Sequence, residues 1–389
     1  MTAAPRIALF ADTFYEVNGA ARTCREWDAF ARRRGLNFLC VRWGQRTATC
    51  EDGAAWSLEL KRSLLSFPVD PDLRFDLRFY RFLQMVEAEV RRFRPDFIHL
   101  TSPGDLGILG AIIAARTGTP IAASWHTNLH EFAARRVVRA CSWLPGSTRS
   151  RVAEFVERFV MDRVSWFFGR AQVVFAPNPE LATILGARTG RTVIQMGRGI
   201  DTGLFHPTRR SRTDADLVLG FVGRLMPEKN LRLLPRVATA LRDAGIHRFR
   251  FQISGAGSER AWLERNLPNA VFTGVLTGEA LARAYADMDL FLFPSRTDTF
   301  GNVVQEALAS GVPAIVMNAG GPRFIVRHGV TGVVAASDEE FCCSAATLAS
   351  SEGVRGEMGR AGRRQVEYQS WDRVFEEVYE GYASPVAVL

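Results

Sequence analysis

Two carboxylates, Asp298 and Glu306, stand eight positions apart in SRTDTFGNVVQEALASG (295–311). Between them Gly301 and Asn302 open a stretch with the look of a helix start. A helix start attracts anions through its unpaired N–H groups and its dipole. Acids at its edges therefore either cap it or grip something neutral that is attached to an anion.

Three other short stretches carry chemistry, each just after an apolar run. In FVGRLMPEKN (221–230), Gly223 is followed by Arg224 and Lys229, two cations five apart across a turn. Only Lys61 and Lys229 are lysines against 47 arginines, so Lys229 stands out. Such a pair converges on a diphosphate, Arg as a fork and Lys as a point charge, or is simply solvated. In SWHTNLH (124–130), His126 is placed to donate to a sugar hydroxyl or a leaving phosphate, or is structural. His126 and His130 have a zinc-like i, i+4 spacing, but no HExxH glutamate and no obvious third ligand accompany them. In ADTFYEVNGAART (11–23), Gly19 could bring backbone N–H groups close to a phosphate, or could only open a helix behind its cap.

Two patterns invite other readings. SGAGSER (254–260) offers Gly255 and Gly257 but Arg260 where a dinucleotide fingerprint needs its third glycine. The Asp-x-Asp pair at 287 and 289 falls at a helix-to-strand junction, the wrong end of a parallel sheet for a metal site, and suits turn chemistry.

The elements that must position these residues follow from hydrophobic patterning. Apolar runs at 6–11, 37–42, 96–101, 120–125 and 172–177 read as strands, and the rhythm restarts at 217–222, 249–254, 270–275, 290–295 and 313–318. Helical patterns such as 20–34, 231–245 and 278–288 fill the gaps. Strand–helix alternation predicts parallel sheets, and the restart predicts two doubly wound α/β domains. The boundary is expected at 206/207, with PTRRSRTDAD (207–216) as linker.

The 389 residues carry a net charge of +8 with 47% hydrophobic residues, as in an ordinary globular protein. Residues 1–200 hold 28 basic and 19 acidic side chains and residues 201–389 hold 21 and 22, so the surplus belongs to the first half. No apolar run approaches the ~18 residues of a membrane span. IALFA before Asp12 is too short for a secretory leader. The six cysteines have no metal-ligand spacing and read as reduced thiols in a cytoplasmic protein.

GRLMPEKN, FPSRTDTFGNVVQEALASGVPAI, GRGIDTGLFHP (197–207) and HGVTG (328–332) resemble the retaining glycosyltransferases of family 4, which have the GT-B fold. ADTFYEVNGAART and SWHTNLHEFA resemble the branch with bacterial lipid-linked mannosyl- and sulfoquinovosyl-transferases. The resemblance implies two Rossmann-like domains, 1–206 on the acceptor side and 207–369 on the nucleotide-sugar side, facing across a cleft. A last helix, 370–384, would pack back on the first domain.

The resemblance also implies roles. Asp298, where the family has glutamate, grips donor-sugar hydroxyls, and Glu306 holds the ribose hydroxyls. Backbone N–H groups of Phe300, Gly301, Asn302 and Val303 meet the sugar and diphosphate. Arg224 and Lys229 are the diphosphate pair, with Gly223 and Gly255 on the nucleotide side. Gly19 is the phosphate-loop glycine and His126 lies beside the donor sugar. No metal and no cofactor are expected beyond the nucleoside diphosphate sugar, GDP-mannose or a UDP-hexose. The expected acceptor is a lipid-linked or cell-envelope glycan in a bacterial cytoplasm.

Other functions stay open at this point. A sugar-nucleotide epimerase or hydrolase of the same fold would need no acceptor groove. The basic charge raises nucleic-acid binding, but the arginines are scattered and no recognition module is present, so no nucleic-acid partner is expected. Segment 131–170 holds eight arginines against four acids, interleaved with Phe and Trp. It reads either as solvated arginines over a buried aromatic face or as a peripheral contact with an anionic membrane.

Overall fold

The computed structural model describes residues 4–70, 73–128, 138, 143 and 146–383. The chain divides into two units, residues 1–197 with 371–389, and residues 198–370. The division falls nine residues before the expected boundary.

The first unit contains β1 (Ile7–Ala11), β2 (Phe38–Gly44), β3 (Ala48–Asp52), β4 (Ala55–Lys61), β5 (Ser66–Asp70), β6 (Leu73–Asp76), β7 (Phe97–Leu100), β8 (Ile121–Ser124), β9 (Val173–Ala176) and β10 (Val193–Gln195). Its helices are α1 (Gly19–Arg33), α2 (Leu83–Phe93), α3 (Asp105–Thr117), α4 (Gly146–Phe168) and α5 (Pro179–Thr189). Strand β1, IALFA, is buried along its whole length. A run without alternation suits a strand covered on both faces, as parallel sheets require. Eight strands pair in the order β10-β9-β8-β7-β1-β2-β4-β3, parallel except for the β3–β4 hairpin at one edge. Strands β5 and β6 form a separate ribbon. The order reverses between β1 and β7, so the loops after these strands flank a switch point, where ligands of doubly wound sheets sit.

A buried acid pair organises that switch point. Asp12, just after β1, accepts the Leu106 N–H at 2.9 Å and the Ser102 hydroxyl at 2.5 Å, at the start of α3. Asp105 accepts the Trp43 indole N–H, an Arg62 Nη1–H and the Asp76 N–H within 3.0 Å. Burial, and then the nearby Asp105 charge, push the Asp12 carboxyl up to about 8. A raised carboxyl pKa favours the fold below the ordinary carboxylate range, and that contribution is lost as pH rises towards 8. Asp12→Asn mimics the protonated acid, so it should lose less melting temperature than wild type between pH 5.5 and pH 8.5. Equal losses in the two proteins would mean that Asp12 ionises normally.

The second unit contains β11 (Leu217–Val222), β12 (Phe249–Ser254), β13 (Val271–Gly274), β14 (Leu290–Phe293), β15 (Ala314–Met317) and β16 (Gly332–Ala335). Its helices are α6 (Leu234–Asp243), α7 (Arg260–Asn266), α8 (Gly278–Ala286), α9 (Asn302–Ala309), α10 (Asp338–Ala349) and α11 (Glu352–Val366). The sheet is all parallel in the order β13-β12-β11-β14-β15-β16, reversing between β11 and β14. Residues 207–216, expected as a linker, lie inside this unit. Asp287 accepts the N–H groups of Ser211 and Arg212, and Asp289 binds the Arg210 and Arg212 guanidiniums. The Asp-x-Asp pair thus fastens the entering chain.

The last helix, α12 (Trp371–Ala383), belongs to the first unit and packs on α1. Trp27 stacks on Phe375 at 5.3 Å, Phe375 on Trp371 at 5.6 Å, and Arg33 bonds Asp372 at 2.5 Å. The stack covers one face of the sheet with aromatic surface, which burial and ring geometry both stabilise.

Candidate functional site

At the switch point of the second unit two loops meet. Strand β11 leads into Gly223, Arg224 and the short 3-10 turn Pro227–Lys229. Strand β14, its neighbour, leads into the loop carrying Asp298 and then α9. Lys229 Nζ donates to both Asp298 carboxylate oxygens, at 2.7 and 2.9 Å. Burial alone would raise the Asp298 carboxyl, but the Lys229 charge and hydrogen bonds, aided by the Arg224 charge, hold it below its ordinary value. The Arg224 guanidinium lies 3.7 Å from Glu228.

Helix α9 begins in an unusual way. Its N-cap is Gly301 at φ 103°, and no side chain caps the first turn. Most helices fill this place with Ser, Thr, Asp or Asn. An uncapped start leaves N–H groups directed outwards, where an anion can accept from them. Gly321 lies beneath the loop and donates its N–H to the Asp298 carbonyl at 2.7 Å. A Cβ on Gly321 would stand 2.2 Å from the Thr299 carbonyl oxygen, so the loop requires glycine there.

The two acids differ in setting. Asp298 is partly exposed and carries the lysine, whereas Glu306, a turn into α9, is only 4% exposed and accepts from the Tyr285 hydroxyl at 2.9 Å. Lys229 and Asp298 are thus in direct contact, with Arg224 close enough to act on the carboxyl. Phe300, Gly301, Asn302 and Val303 form the turn into α9. Gly255 lies against Gly223, and a Cβ on Gly255 would be 1.9 Å from the Gly223 carbonyl oxygen. Backbone packing therefore explains the glycine of SGAGSER without a dinucleotide.

Gly19 and His126 belong to the first unit. Gly19 is the first residue of α1, exposed, behind an Asn18 side chain that accepts the Ala21 N–H. His126 follows β8, its Nε2 2.6 Å from the Ser124 hydroxyl. His130, and with it the zinc-like pair, lies outside the described residues. Among the described residues no cluster of three His, Cys, Asp or Glu could hold a metal.

Sequence reasoning missed two residues beside this loop. Arg198 is 4% exposed, its guanidinium stands 5.7 Å from the Phe300 ring centre, and its carbonyl accepts from Gln305 of α9. It lies within GRGID, so the motif was visible although its role was not. Tyr285, which holds Glu306, gives no local signal: it is one aromatic on an ordinary amphipathic helix.

Two doubly wound parallel units in one chain, with the charged loops at a strand-order reversal, are the GT-B architecture of glycosyltransferases. Residues 17–204 match the model described as Glycosyltransferase Family 4, and residues 216–351 match Glycosyl transferases group 1. The chain is 36% identical over 305 residues, 75% of this chain and 74% of the relative, to the GDP-mannose-dependent alpha-mannosyltransferase of Mycolicibacterium smegmatis. It is 32% identical over 390 residues, 97% and 96% of the two chains, to the protein of the same name in Mycobacterium tuberculosis. Sucrose-phosphate synthase from Thermosynechococcus elongatus superposes with a TM-score of 0.73 over 99% of this chain and 100% of that one, at 16% identity, which shows the fold alone. The chain belongs to glycosyltransferase family 4. It is a hexosyltransferase.

Proposed function

We propose that the enzyme transfers a mannosyl unit from GDP-mannose, with retention of configuration and without a metal, to a lipid-linked or cell-envelope glycan. The observation that carries this reading is the Lys229–Asp298 contact beside the uncapped start of α9. The names of its near-full-length relatives supply the base and sugar.

The chemistry follows from charge. Departure of the nucleoside diphosphate builds negative charge on its phosphates. Lys229, Arg224 and the N–H groups of the turn at Phe300, Gly301, Asn302 and Val303 stabilise that charge, each preorganised by the fold. As Lys229 turns to the phosphates, Asp298 is released to accept hydrogen bonds from sugar hydroxyls. Glu306, fixed by Tyr285, accepts from the ribose. Gly223 and Gly255 keep backbone, rather than side chain, against the nucleotide. In the first unit, the same reading gives Gly19 a phosphate and His126 the donor sugar. Asp298 is one methylene shorter than the family's glutamate, which sets its reach.

A panel of GDP- and UDP-sugars, read by release of nucleoside diphosphate with and without an extract of cell-envelope lipids, tests the assignment. GDP-mannose should turn over and respond to the extract. Faster turnover of a UDP-hexose would overturn the donor, and release indifferent to any acceptor would favour a hydrolase. Because side chains and backbone meet the diphosphate charge, EDTA should leave turnover unchanged. Loss with chelator and recovery with magnesium or manganese would contradict this.

The lipid side of the proposal is supported by α4. Phe155, Phe159 and Trp166 are more than half exposed on it, and the Arg163 and Arg170 guanidiniums lie over the Phe159 and Trp166 rings at 5.4 and 3.7 Å. Residues 131–137, 139–142 and 144–145 of the same basic segment lie outside the described residues. Exposed aromatics with arginines suit an anionic bilayer surface, each basic group adding ~1 kcal/mol. Removing both charges in Arg163→Ala/Arg170→Ala should lower partitioning onto phosphatidylserine vesicles about tenfold or more. Equal partitioning of wild type onto neutral and anionic vesicles would favour a soluble acceptor. Among the described residues no helix is long and apolar enough to cross a membrane.

A further inference from the structure

A line of four hydrogen-bonding side chains runs through the first unit and reaches His126. Tyr382 of α12 stands with its hydroxyl 2.6 Å from Nδ1 of His99, in the middle of β7. Nε2 of His99 lies 2.8 Å from the hydroxyl of Ser124, at the end of β8. The same hydroxyl lies 2.6 Å from Nε2 of His126. His99 is fully buried, Ser124 is 1% exposed and Tyr382 is 5% exposed. Trp27, Phe175 and Tyr382 surround the His99 ring with centroids at 4.7, 5.7 and 6.1 Å.

The protons along this line can be placed. Burial pushes the His99 imidazole down to about 3, so it stays neutral and carries one N–H. Burial, then the neighbouring Tyr379, pushes the Tyr382 phenol well above its ordinary range, so it keeps its hydrogen. His99 Nδ1 is the partner of that buried hydroxyl, and a buried O–H left without an acceptor is costly. Tyr382 therefore donates to Nδ1 of His99, which fixes the His99 proton on Nε2. Nε2–H donates to the Ser124 oxygen. The Ser124 hydrogen, between two histidine nitrogens, then goes to Nε2 of His126.

We infer that Tyr382, His99 and Ser124 are positioning residues that hold His126 as the Nδ1–H tautomer, with its Nε2 as acceptor. Solvated imidazole prefers the opposite tautomer, so the line imposes a state that His126 would not choose. His126 then carries its hydrogen on Nδ1, a donor of fixed identity. Its use on the donor sugar or leaving phosphate rests on the function proposed above, whereas the tautomer does not. The construction explains why a tyrosine on the last helix, far in sequence from every motif, lies under β7 and β8. A histidine's second nitrogen commonly decides which proton the first one carries.

The experiment combines spectroscopy with paired substitutions in the full chain. Long-range ¹H–¹⁵N correlations on histidine-labelled enzyme, with His126 assigned by its loss in His126→Asn, read the tautomer directly. Wild type should show Nδ1 protonated and Nε2 bare, and Ser124→Ala should shift His126 towards Nε2–H. Wild-type His126 protonated on Nε2 would overturn the inference. Kinetics give a second reading, because Asn places an N–H near the Nδ1 position and Gln places one near Nε2. His126→Asn should retain more turnover than His126→Gln. Ser124→Ala should lower kcat about tenfold with little change in the donor KM, yet add no loss in a His126→Asn background. An equal Ser124→Ala loss in both backgrounds, with an unchanged melting temperature, would show that Ser124 does not act through His126 and would overturn it. If neither His126 variant affects turnover while the tautomer is as stated, the inference stands and the role of His126 in transfer falls.

Discussion

Lys229→Ala should lower kcat/KM for the donor by about ten- to a hundredfold, because a hydrogen bond to a charged group contributes roughly 1.5–3 kcal/mol. The substitution removes more than a phosphate contact. Asp298 loses the cation that offsets its burial, so its carboxyl should rise from its depressed value. A partly buried acid without its partner then stands where the diphosphate must bind, and repels it. Lys229→Ala/Asp298→Asn removes that repulsion and should bind nucleoside diphosphate more tightly than Lys229→Ala alone, although sugar transfer stays low. The two side chains are only 11% and 20% exposed, so removing the lysine alone should also lower the melting temperature, and the double substitution should recover part of that loss. Wild-type kcat/KM in Lys229→Ala, with GDP-mannose and every alternative donor tried, would remove the site from this loop.

Glu306→Ala should cost a similar factor in kcat/KM and also cost stability. The carboxylate is buried and accepts from Tyr285, so its removal leaves a buried hydroxyl without this acceptor, worth about 1–3 kcal/mol. The melting temperature should fall by several degrees. Glu306→Gln separates the two effects. Its amide oxygen still accepts from Tyr285 and should restore most of the melting temperature, while the lost charge keeps turnover below wild type. Full activity in Glu306→Gln would limit the acid to a structural role. A stable but inactive Glu306→Ala would instead show that Tyr285 does not depend on it.

Much of this was legible in the sequence because the information is local. All ten expected strands are present, most of them short, buried runs such as IALFA or LVLGFV whose burial leaves no alternation to confuse; β13, with no buried residue, is the exception. Among the strands that escaped, β4, AWSLELK, buries Leu58 and Leu60 but mixes polar residues into its run, and two others are of another kind. Strand β3, ATCED, is an exposed edge and β5, SFPVD, carries a proline, so neither has a buried face to advertise it. The expected linker at 207–216 is polar and charged, but Arg210 and Arg212 bind Asp289, and Asp287 accepts the backbone N–H groups of Ser211 and Arg212.

The loops of the proposed donor side were readable for a similar reason. Lys229, Asp298 and α9 each follow a strand, and strand order brings adjacent loops together. What pairs with what was not readable. The lysine holding the acid, the tyrosine under Glu306, the arginine at Phe300 and the line from Tyr382 through His99 to Ser124 are contacts between segments 21 to 283 positions apart. No spacing rule reports them, because side-chain pairing across a sheet depends on register and on which helix returns to cover it.

The measurement that tests the central claim most directly is a structure of the chain with GDP bound. The account predicts Lys229 Nζ turned from Asp298 to a phosphate oxygen, other phosphate oxygens on the N–H groups at the start of α9, and the ribose hydroxyls on Glu306. GDP seated away from α9, with the Lys229–Asp298 pair intact, would contradict it.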